Sequence, residues 1–205
     1  MRTGLVLSGG ESSRMGQEKG LVSLNGDPMV SYVVNSMLDL VDEIVISVAK
    51  GRAGLYDEYS EIGFEIVEDR EPGIGPLEGM VCALRLARGE YVLVGPCDTP
   101  FLKPGVCKLV LSKADGKDGA VPVIKGMFEP LHGVYRRLPA LKAFEAELAK
   151  GNKRKLIDAY DELDIAGVDE SEMRAIDPRL ESFWNLNSPQ DLAEAEKRLG
   201  ESPGD

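Results

Sequence analysis

Leu5-Val6-Leu7-Ser8-Gly9-Gly10-Glu11-Ser12-Ser13-Arg14-Met15-Gly16-Gln17-Glu18-Lys19 decides the fold. Its apolar start, residues 4–7, suits a buried strand. The adjacent Gly9 and Gly10 then let the backbone turn sharply with its N–H groups uncovered, a cradle for phosphate oxygens. Arg14 adds a planar cationic fork and Lys19 a mobile point charge, which together outline a triphosphate site. Two familiar phosphate motifs do not fit. A Walker loop needs Gly-Lys-Ser/Thr in succession, whereas Gln17-Glu18 separates Gly16 from Lys19. A dinucleotide fingerprint needs alternating rather than adjacent glycines. An ordinary strand-to-helix turn carrying surface charges stays open as the alternative.

The stretches that follow repeat the strand-then-helix theme. Residues 20–28 read as a short extended segment ending in a turn. The period of Met29, Val30, Val33, Val34, Met37 and Leu38 predicts a helix opened by Pro28. Residues 43–48 read as a buried strand, 52–60 as a short helix and 64–68 as the next strand. The Gly- and Pro-rich residues 69–76 form a ligand loop beyond that strand. Pro76 opens a helix to about Arg88, and the strand 91–95 ends at Pro96-Cys97-Asp98-Thr99-Pro100. Repeated β-α units in this order imply an α/β, three-layer, mainly parallel sheet with right-handed crossovers.

The second half changes character. Residues 120–124, a Lys125-Gly126 turn and residues 129–135 look like two strands, antiparallel to each other. Helices are expected over 140–150 and 156–160, with an edge strand at 163–168. Ser188-Pro189-Gln190-Asp191 supplies an N-cap, a first-turn proline and an acidic first turn for a last helix ending at Gly200. The whole reads as one domain over residues 1–200 with a disordered tail at 201–205.

Composition narrows the function class. A chain of 205 residues with 43% hydrophobic residues buries a continuous core, and no apolar run approaches a membrane span. The start runs straight into a strand rather than a signal peptide, so a cytoplasmic protein is expected. Cys82, Cys97 and Cys107 lack zinc-like spacing and read as reduced packing residues. Acidic residues outnumber basic ones, 35 to 24, for a net charge of −11, which repels nucleic acid at long range. A small anionic ligand then needs a local cationic pocket and a divalent metal, which points to magnesium-assisted nucleotide chemistry.

Four positions carry the chemistry in this reading. Asp98, directly after an apolar strand, is placed to meet a hard divalent ion, and magnesium takes only one or two protein carboxylates; the alternative is an Asx turn or cap before Pro100. Asp69 has the same placement, and its carboxylate suits the N1–H and exocyclic amine edge of guanine, with a turn residue as the alternative. Asn185 and Asn187 alternate along a strand and face one way, toward a site, or Asn187 shapes the turn before Ser188-Pro189. Lys153, Arg154 and Lys155 form a basic turn suited to an acceptor phosphate or to a solvated surface. His132, the only histidine, reads as a packing or surface residue rather than a catalyst, and Trp184 as a core residue.

Four segments together, residues 7–21, Gly75-Pro76-Leu77-Glu78-Gly79-Met80, Pro96-Cys97-Asp98-Thr99-Pro100 and residues 183–192, resemble the molybdenum cofactor guanylyltransferases across nearly the whole chain. The opening pattern alone resembles many sugar-phosphate and cofactor nucleotidyltransferases. The resemblance implies a Rossmann-like sheet and a loop in which Leu7, Ser8, Gly9 and Gly10 contact the nucleotide. It further implies phosphate contact by Lys19, guanine recognition by Asp69, binding of GTP and Mg2+ by Asp98, and a site lined by Asn185 and Asn187. The family commonly has Asn-Arg where this chain has Lys50-Gly51-Arg52, so no contact is carried over to Lys50. Ser8-Gly9-Gly10 and Asp98-Thr99-Pro100 favour GTP over the CTP of the related cytidylyltransferases.

The implied reaction is magnesium-dependent transfer of GMP from GTP to molybdopterin with release of pyrophosphate, with Arg14, Lys19 and Asp98 as its catalytic residues. GTP and molybdopterin or molybdenum cofactor are then the substrates, molybdoenzymes or cofactor-insertion proteins the further partners, and neither nucleic acid nor membrane is one. The rival readings are a nucleotidyltransferase for a sugar phosphate, a corrinoid or a different base, and a nucleotide-binding domain without transfer.

Overall fold

The computed structural model describes residues 1–9, 18–151 and 155–201. Gly10, Arg14, Lys153, Arg154 and the end of the expected tail, 202–205, lie outside the described residues. In chain order the elements are β1 (Arg2–Leu7), β2 (Ser23–Leu24), β3 (Asp27–Pro28), α1 (Met29–Asn35), β4 (Glu43–Val48), α2 (Asp57–Glu61), β5 (Glu65–Glu68), α3 (Pro76–Leu86), β6 (Tyr91–Pro96), α4 (Pro104–Lys113), β7 (Gly119–Ile124), β8 (Met127–Phe128), β9 (Val134–Arg136), α5 (Arg137–Ala149), β10 (Ile165–Asp169), α6 (Glu170–Ile176) and α7 (Pro189–Glu201).

The main sheet runs β10-β7-β9-β6-β1-β4-β5, with β8 paired to β7. β4, β1 and β6 are parallel neighbours, as are β4 with β5 and β7 with β10. β9 lies antiparallel between β6 and β7. The apolar runs of β1, β4 and β6 are continuous because helices cover both faces of a parallel sheet. Alternation sorts the side chains. Val6, Ile46 and Leu93 enter one core with Val33, Val106 and Met173. Leu5, Leu7, Val45, Val92 and Val94 enter the other with Met80, Leu84 and Phe144. This is the expected three-layer α/β arrangement, mainly parallel with antiparallel strands in the second half.

From β1 the chain builds outward through β4 to β5, then returns to the other side of β1 with β6. That reversal opens a crevice at the carboxyl ends of β1 and β6, where ligands bind in sheets of this kind. Asn25 and Gly26, at φ 52° and 98°, make a tight β2–β3 hairpin beside it. A small third core, Val22, Leu24, Met29, Leu186 and Ala195, joins that hairpin to α7.

Several local expectations change. Residues 52–60 begin as a 3-10 turn, Ala53–Tyr56, before α2, and the 156–160 helix is a 3-10 stretch, Leu156–Glu162. The segment 129–135 is interrupted by a 3-10 turn, Pro130–His132, and only β9 joins the sheet. α4 and α6 were not anticipated. Asn185 and Asn187 do not lie on a strand, because Leu186 donates its N–H to the carbonyl of Asp98 (2.8 Å) rather than to a ladder. Trp184 stacks on Phe101 (5.4 Å between centroids) and under Arg198, half-buried at the edge of the third core. Cys82, Cys97 and Cys107 are buried and free, as expected of packing residues.

His132 packs 4.9 Å from Phe183, and neither ring nitrogen completes a hydrogen bond. Burial holds its pKa down to about 4, with the Ser182 backbone opposing only in part. The folded protein therefore refuses a proton that the unfolded chain accepts near pH 6.5. The stabilisation is complete above that pH and is lost as pH falls toward 4, by about 3 kcal/mol at most. Urea unfolding across this range should show that loss in the wild type and a flatter profile in His132→Leu; equal slopes would overturn the account.

Candidate active site

β1 ends in Leu7, whose carbonyl accepts from the N–H of Cys97 (3.0 Å), while Ser8 N–H donates to Ser47 (2.7 Å). These bonds set the starts of three loops side by side. Leu7 itself sits in the core, and the Ser8 hydroxyl is 2% exposed, so neither side chain is offered to a ligand. Gly9 passes so close to the next loop that a Cβ there would lie 3.2 Å from Asp69 Oδ2. Only the backbone of this turn fits.

Lys19 opens a 3-10 turn, Lys19–Leu21, and extends its ammonium to Asp98 Oδ2 (2.6 Å) and Asn187 Oδ1 (2.7 Å). Three segments distant in sequence thus meet in one knot. Asp98 caps no turn: Thr99 holds the turn through its hydroxyl on the Pro96 carbonyl (3.0 Å). Asp98 Oδ1 is buried without a partner among the described residues. Asn187 donates its N–H to Asp191 (3.0 Å), which also pairs with the Ser188 hydroxyl at the start of α7. Its side chain remains free to face Lys19. Asn185 is exposed one residue before buried Leu186, and its carbonyl accepts from Asn187 Nδ2 at 3.5 Å. Lys155 is exposed at the start of its 3-10 stretch, where its backbone N–H donates to Asp158 (2.9 Å).

Asp69 follows β5, and its N–H donates to Val48 (2.9 Å) while Oδ1 is buried without a partner among the described residues. Burial pushes its pKa up to about 6, Glu78 adds to this by repulsion, and the Ser47 hydroxyl opposes it. Gly79 makes room for the group, since a Cβ there would stand 3.2 Å from Asp69 Oδ1 and 2.8 Å from Ser47 Oγ. Glu78 escaped the sequence reading because an acid in the first turn of a helix is ordinary. Here it is 3% exposed and accepts from the N–H of Arg70 (3.1 Å), holding the loop before α3. Lys50 reaches the Arg70 carbonyl (2.9 Å) and tethers the same loop.

A cavity of about 280 Å3 opens on the Arg70 and Glu78 side of that loop, and neither Lys19 nor Asp98 lines it. The knot of Lys19, Asp98 and Asn187 lies apart from that cavity. Among the described residues no cluster of three or more His, Cys, Asp or Glu could hold a metal. Magnesium needs less: one carboxylate oxygen of the Asp98 kind, hard and unpartnered, with phosphates and water completing the shell. No helix among the described residues is long and apolar enough to cross a membrane.

A Rossmann-like sheet with a glycine after β1, and a lysine and an aspartate paired at its switch point, is the class of α/β protein the fold defines. Comparison sharpens this class. Residues 4–163 match the MobA-like NTP transferase domain family. The chain is 36% identical over 200 residues to the molybdenum cofactor guanylyltransferase of Desulfosudis oleivorans, covering 96% of this chain and 95% of that one. A solved Archaeoglobus fulgidus structure, molybdopterin-guanine dinucleotide biosynthesis protein A, superposes with a TM-score of 0.80 at 27% identity, over 98% of this chain and 99% of that one. The chain belongs to the MobA-like NTP transferase domain family and is a nucleotidyltransferase.

Because Asp69 titrates higher in the fold than an ordinary carboxylate, its ionisation costs stability that is absent at pH 4 and grows as pH rises through about 6. Asp69→Asn should raise Tm by a few degrees at pH 8 and leave it unchanged near pH 4. A lower Tm at pH 8 would show that the carboxylate is satisfied.

Proposed function

We propose that the chain is a cytoplasmic, magnesium-dependent guanylyltransferase that moves GMP from GTP to the terminal phosphate of molybdopterin and releases pyrophosphate. The observation that carries this reading is the pair of buried carboxylate oxygens, Asp69 Oδ1 and Asp98 Oδ1, that have no partner among the described residues, one on the aspartate beside Gly9 and the other on the aspartate that holds Lys19. A fold leaves such groups unsatisfied where a ligand supplies what is missing. Guanine offers two parallel N–H donors, which a carboxylate can accept together and which adenine and cytosine do not both present. The names of the relatives supply the acceptor.

In the reaction an acceptor phosphate oxygen attacks the α-phosphorus of GTP, a P–O bond forms, and the bond to the β-phosphate oxygen breaks with its electron pair leaving on pyrophosphate. The attacking oxygen is already ionised at neutral pH, so no general base is required. The work of the protein is alignment and charge stabilisation. Leu7, Ser8 and Gly9, with Gly10, present backbone to the nucleotide. Lys19 and Arg14 meet phosphate oxygens, Asp69 holds the base, and Asn185 and Asn187 line the face. Asp98, with the Asn187 amide oxygen near it, would hold magnesium, which neutralises charge on the phosphates when bound.

Lys19→Ala should cut turnover by on the order of a hundredfold, as for loss of one preorganised donor; normal turnover would remove Lys19 from the mechanism. Pyrophosphate release should occur with GTP, molybdopterin and magnesium, and not with CTP, ATP or UTP. Release only with a sugar phosphate as acceptor would overturn the assignment. The base contact has its own pH signature. Protonated Asp69 cannot accept both guanine N–H groups, so KM for GTP should rise as pH falls through about 6. In Asp69→Asn that KM should be high at every pH, and a wild-type profile in the variant would place the base elsewhere.

A further inference from the structure

Tyr56 ends the 3-10 turn Ala53–Tyr56 and is fully buried in the core between the sheet and α1. A tyrosine there would ordinarily be a packing residue, and its ring packs against Tyr59 (6.0 Å between centroids). Its hydroxyl does something else. It lies 2.5 Å from Ser8 Oγ and 3.4 Å from Glu18 Oε1. Ser8 is the residue at which β1 passes into the glycine turn, and Glu18 is the residue before Lys19. One phenol therefore touches both flanks of the nucleotide loop.

The donor order follows from the chemistry of the three groups. An ionised carboxylate only accepts, so the single phenol proton is directed to Glu18 and the Ser8 hydroxyl donates to the phenol oxygen. Burial raises the Tyr56 pKa further above its ordinary value, so the phenol keeps its proton throughout the working range. Gly20 completes the arrangement. A Cβ at that position would collide with Ser8 Oγ and stand 2.8 Å from the Tyr56 hydroxyl, so the close approach of the two flanks requires glycine. Arg52, in the same connection as Tyr56, lies 3.9 Å from Glu18 Oε2 and adds a weaker charge contact.

We infer that Tyr56 is a positioning residue for Lys19: by bridging Ser8 and Glu18 it fixes the distance between the end of β1 and the start of the Lys19 turn. That distance decides whether the ammonium, one residue beyond Glu18, reaches Asp98 and Asn187 and hence the phosphates. Nothing in the inference depends on which nucleotide or acceptor is used, but its kinetic consequence rests on the guanylyltransferase reading.

Tyr56→Phe removes both hydrogen bonds and keeps the packing, and two measurements separate the inference from that reading. The first uses the protein without substrate. Lys19 amine reactivity toward a small acylating reagent, followed by mass spectrometry, should rise several-fold in Tyr56→Phe, because an ammonium held against a carboxylate is protected. The second is turnover of GTP with molybdopterin, where kcat should fall by about tenfold with KM for GTP changed less. Ser8→Ala should mimic the variant in part, and Ser8→Ala combined with Tyr56→Phe should be no worse than Tyr56→Phe alone. If Tyr56→Phe does not fold, Glu18→Ala, which cuts the bridge from its other end, must give the same rise in Lys19 labelling. Unchanged Lys19 labelling with a lowered Tm would leave Tyr56 a packing residue and overturn the inference. Raised labelling in a protein whose wild type does not turn over GTP would uphold it and overturn the guanylyltransferase reading instead.

Discussion

The contact between Lys19 Nζ and Asp98 Oδ2, 2.6 Å long, is the interaction on which the site depends. The two side chains are only 22% and 17% exposed. At that burial the pair is neither a screened surface ion pair nor a dry interior one, and deleting either partner leaves a charge in partly desolvated surroundings. The fold brings the pair together by bonds that involve neither side chain: Leu7 to Cys97 joins the ends of β1 and β6, and Leu186 to Asp98 draws the closing segment onto the same place. The ion pair thus reports whether β1, β6 and the approach to α7 are in register. It also explains why Lys19 stands on a tight 3-10 turn rather than on the free part of a loop.

Asp177 is the instructive contrast to Asp69 and Asp98. It is fully buried, yet it accepts from Lys103 Nζ (2.8 Å) and from the N–H of Ser182 (2.8 Å), and these partners hold its carboxyl below the usual range against the cost of burial. The same chain can therefore satisfy a buried carboxylate when nothing else is to bind there. At Asp69 it does the opposite and sets Glu78 beside the group, so that the carboxylate is raised rather than eased. Among the described residues the buried carboxylate oxygens left without a partner are Asp69 Oδ1 and Asp98 Oδ1, while the other unpartnered buried groups, such as His132 and Arg137 Nε, carry no carboxylate charge.

Much of this was legible in the sequence, for reasons that particular residues make plain. β1, β4 and β6 announce themselves because strands buried on both faces are continuous apolar runs; Asp98 could be singled out because it ends such a run, and Asp69 because it directly follows the shorter edge strand β5. α6 was not legible, with Met173 its only fully buried residue, nor was α4, whose inward face amounts to Val106, Cys107 and Val110. The closing asparagines were misplaced on a strand because Asn185, Leu186 and Asn187 do alternate in exposure; the alternation comes from one hydrogen bond to a loop, which leaves no mark in the sequence. Tyr56 and Glu78 were missed for a related reason. Each belongs to a residue type that is unremarked where it stands, and only the partners at its polar end distinguish it.

A protein of net charge −11 must still admit a polyanion, and the knot at the switch point indicates how. With no ligand, Lys19 and Asp98 neutralise each other, so neither of the two presents a bare charge. Under the proposed chemistry a triphosphate arrives with its own divalent cation. Lys19 exchanges a carboxylate oxygen for phosphate oxygens, and Asp98 exchanges an ammonium for the cation. Neither group gains a bare charge in the exchange, and the long-range repulsion of the acidic surface acts on a ligand whose own charge is already partly neutralised. Lys19 and Arg14, with one aspartate, can then suffice where a larger basic cluster would otherwise be needed, provided the Lys19 ammonium starts within reach of both partners. That proviso is a matter of backbone spacing, set by Gly20, Ser8 and Glu18 around a single buried phenol, and it places the control of the chemistry in the packing behind the loop rather than in the loop itself.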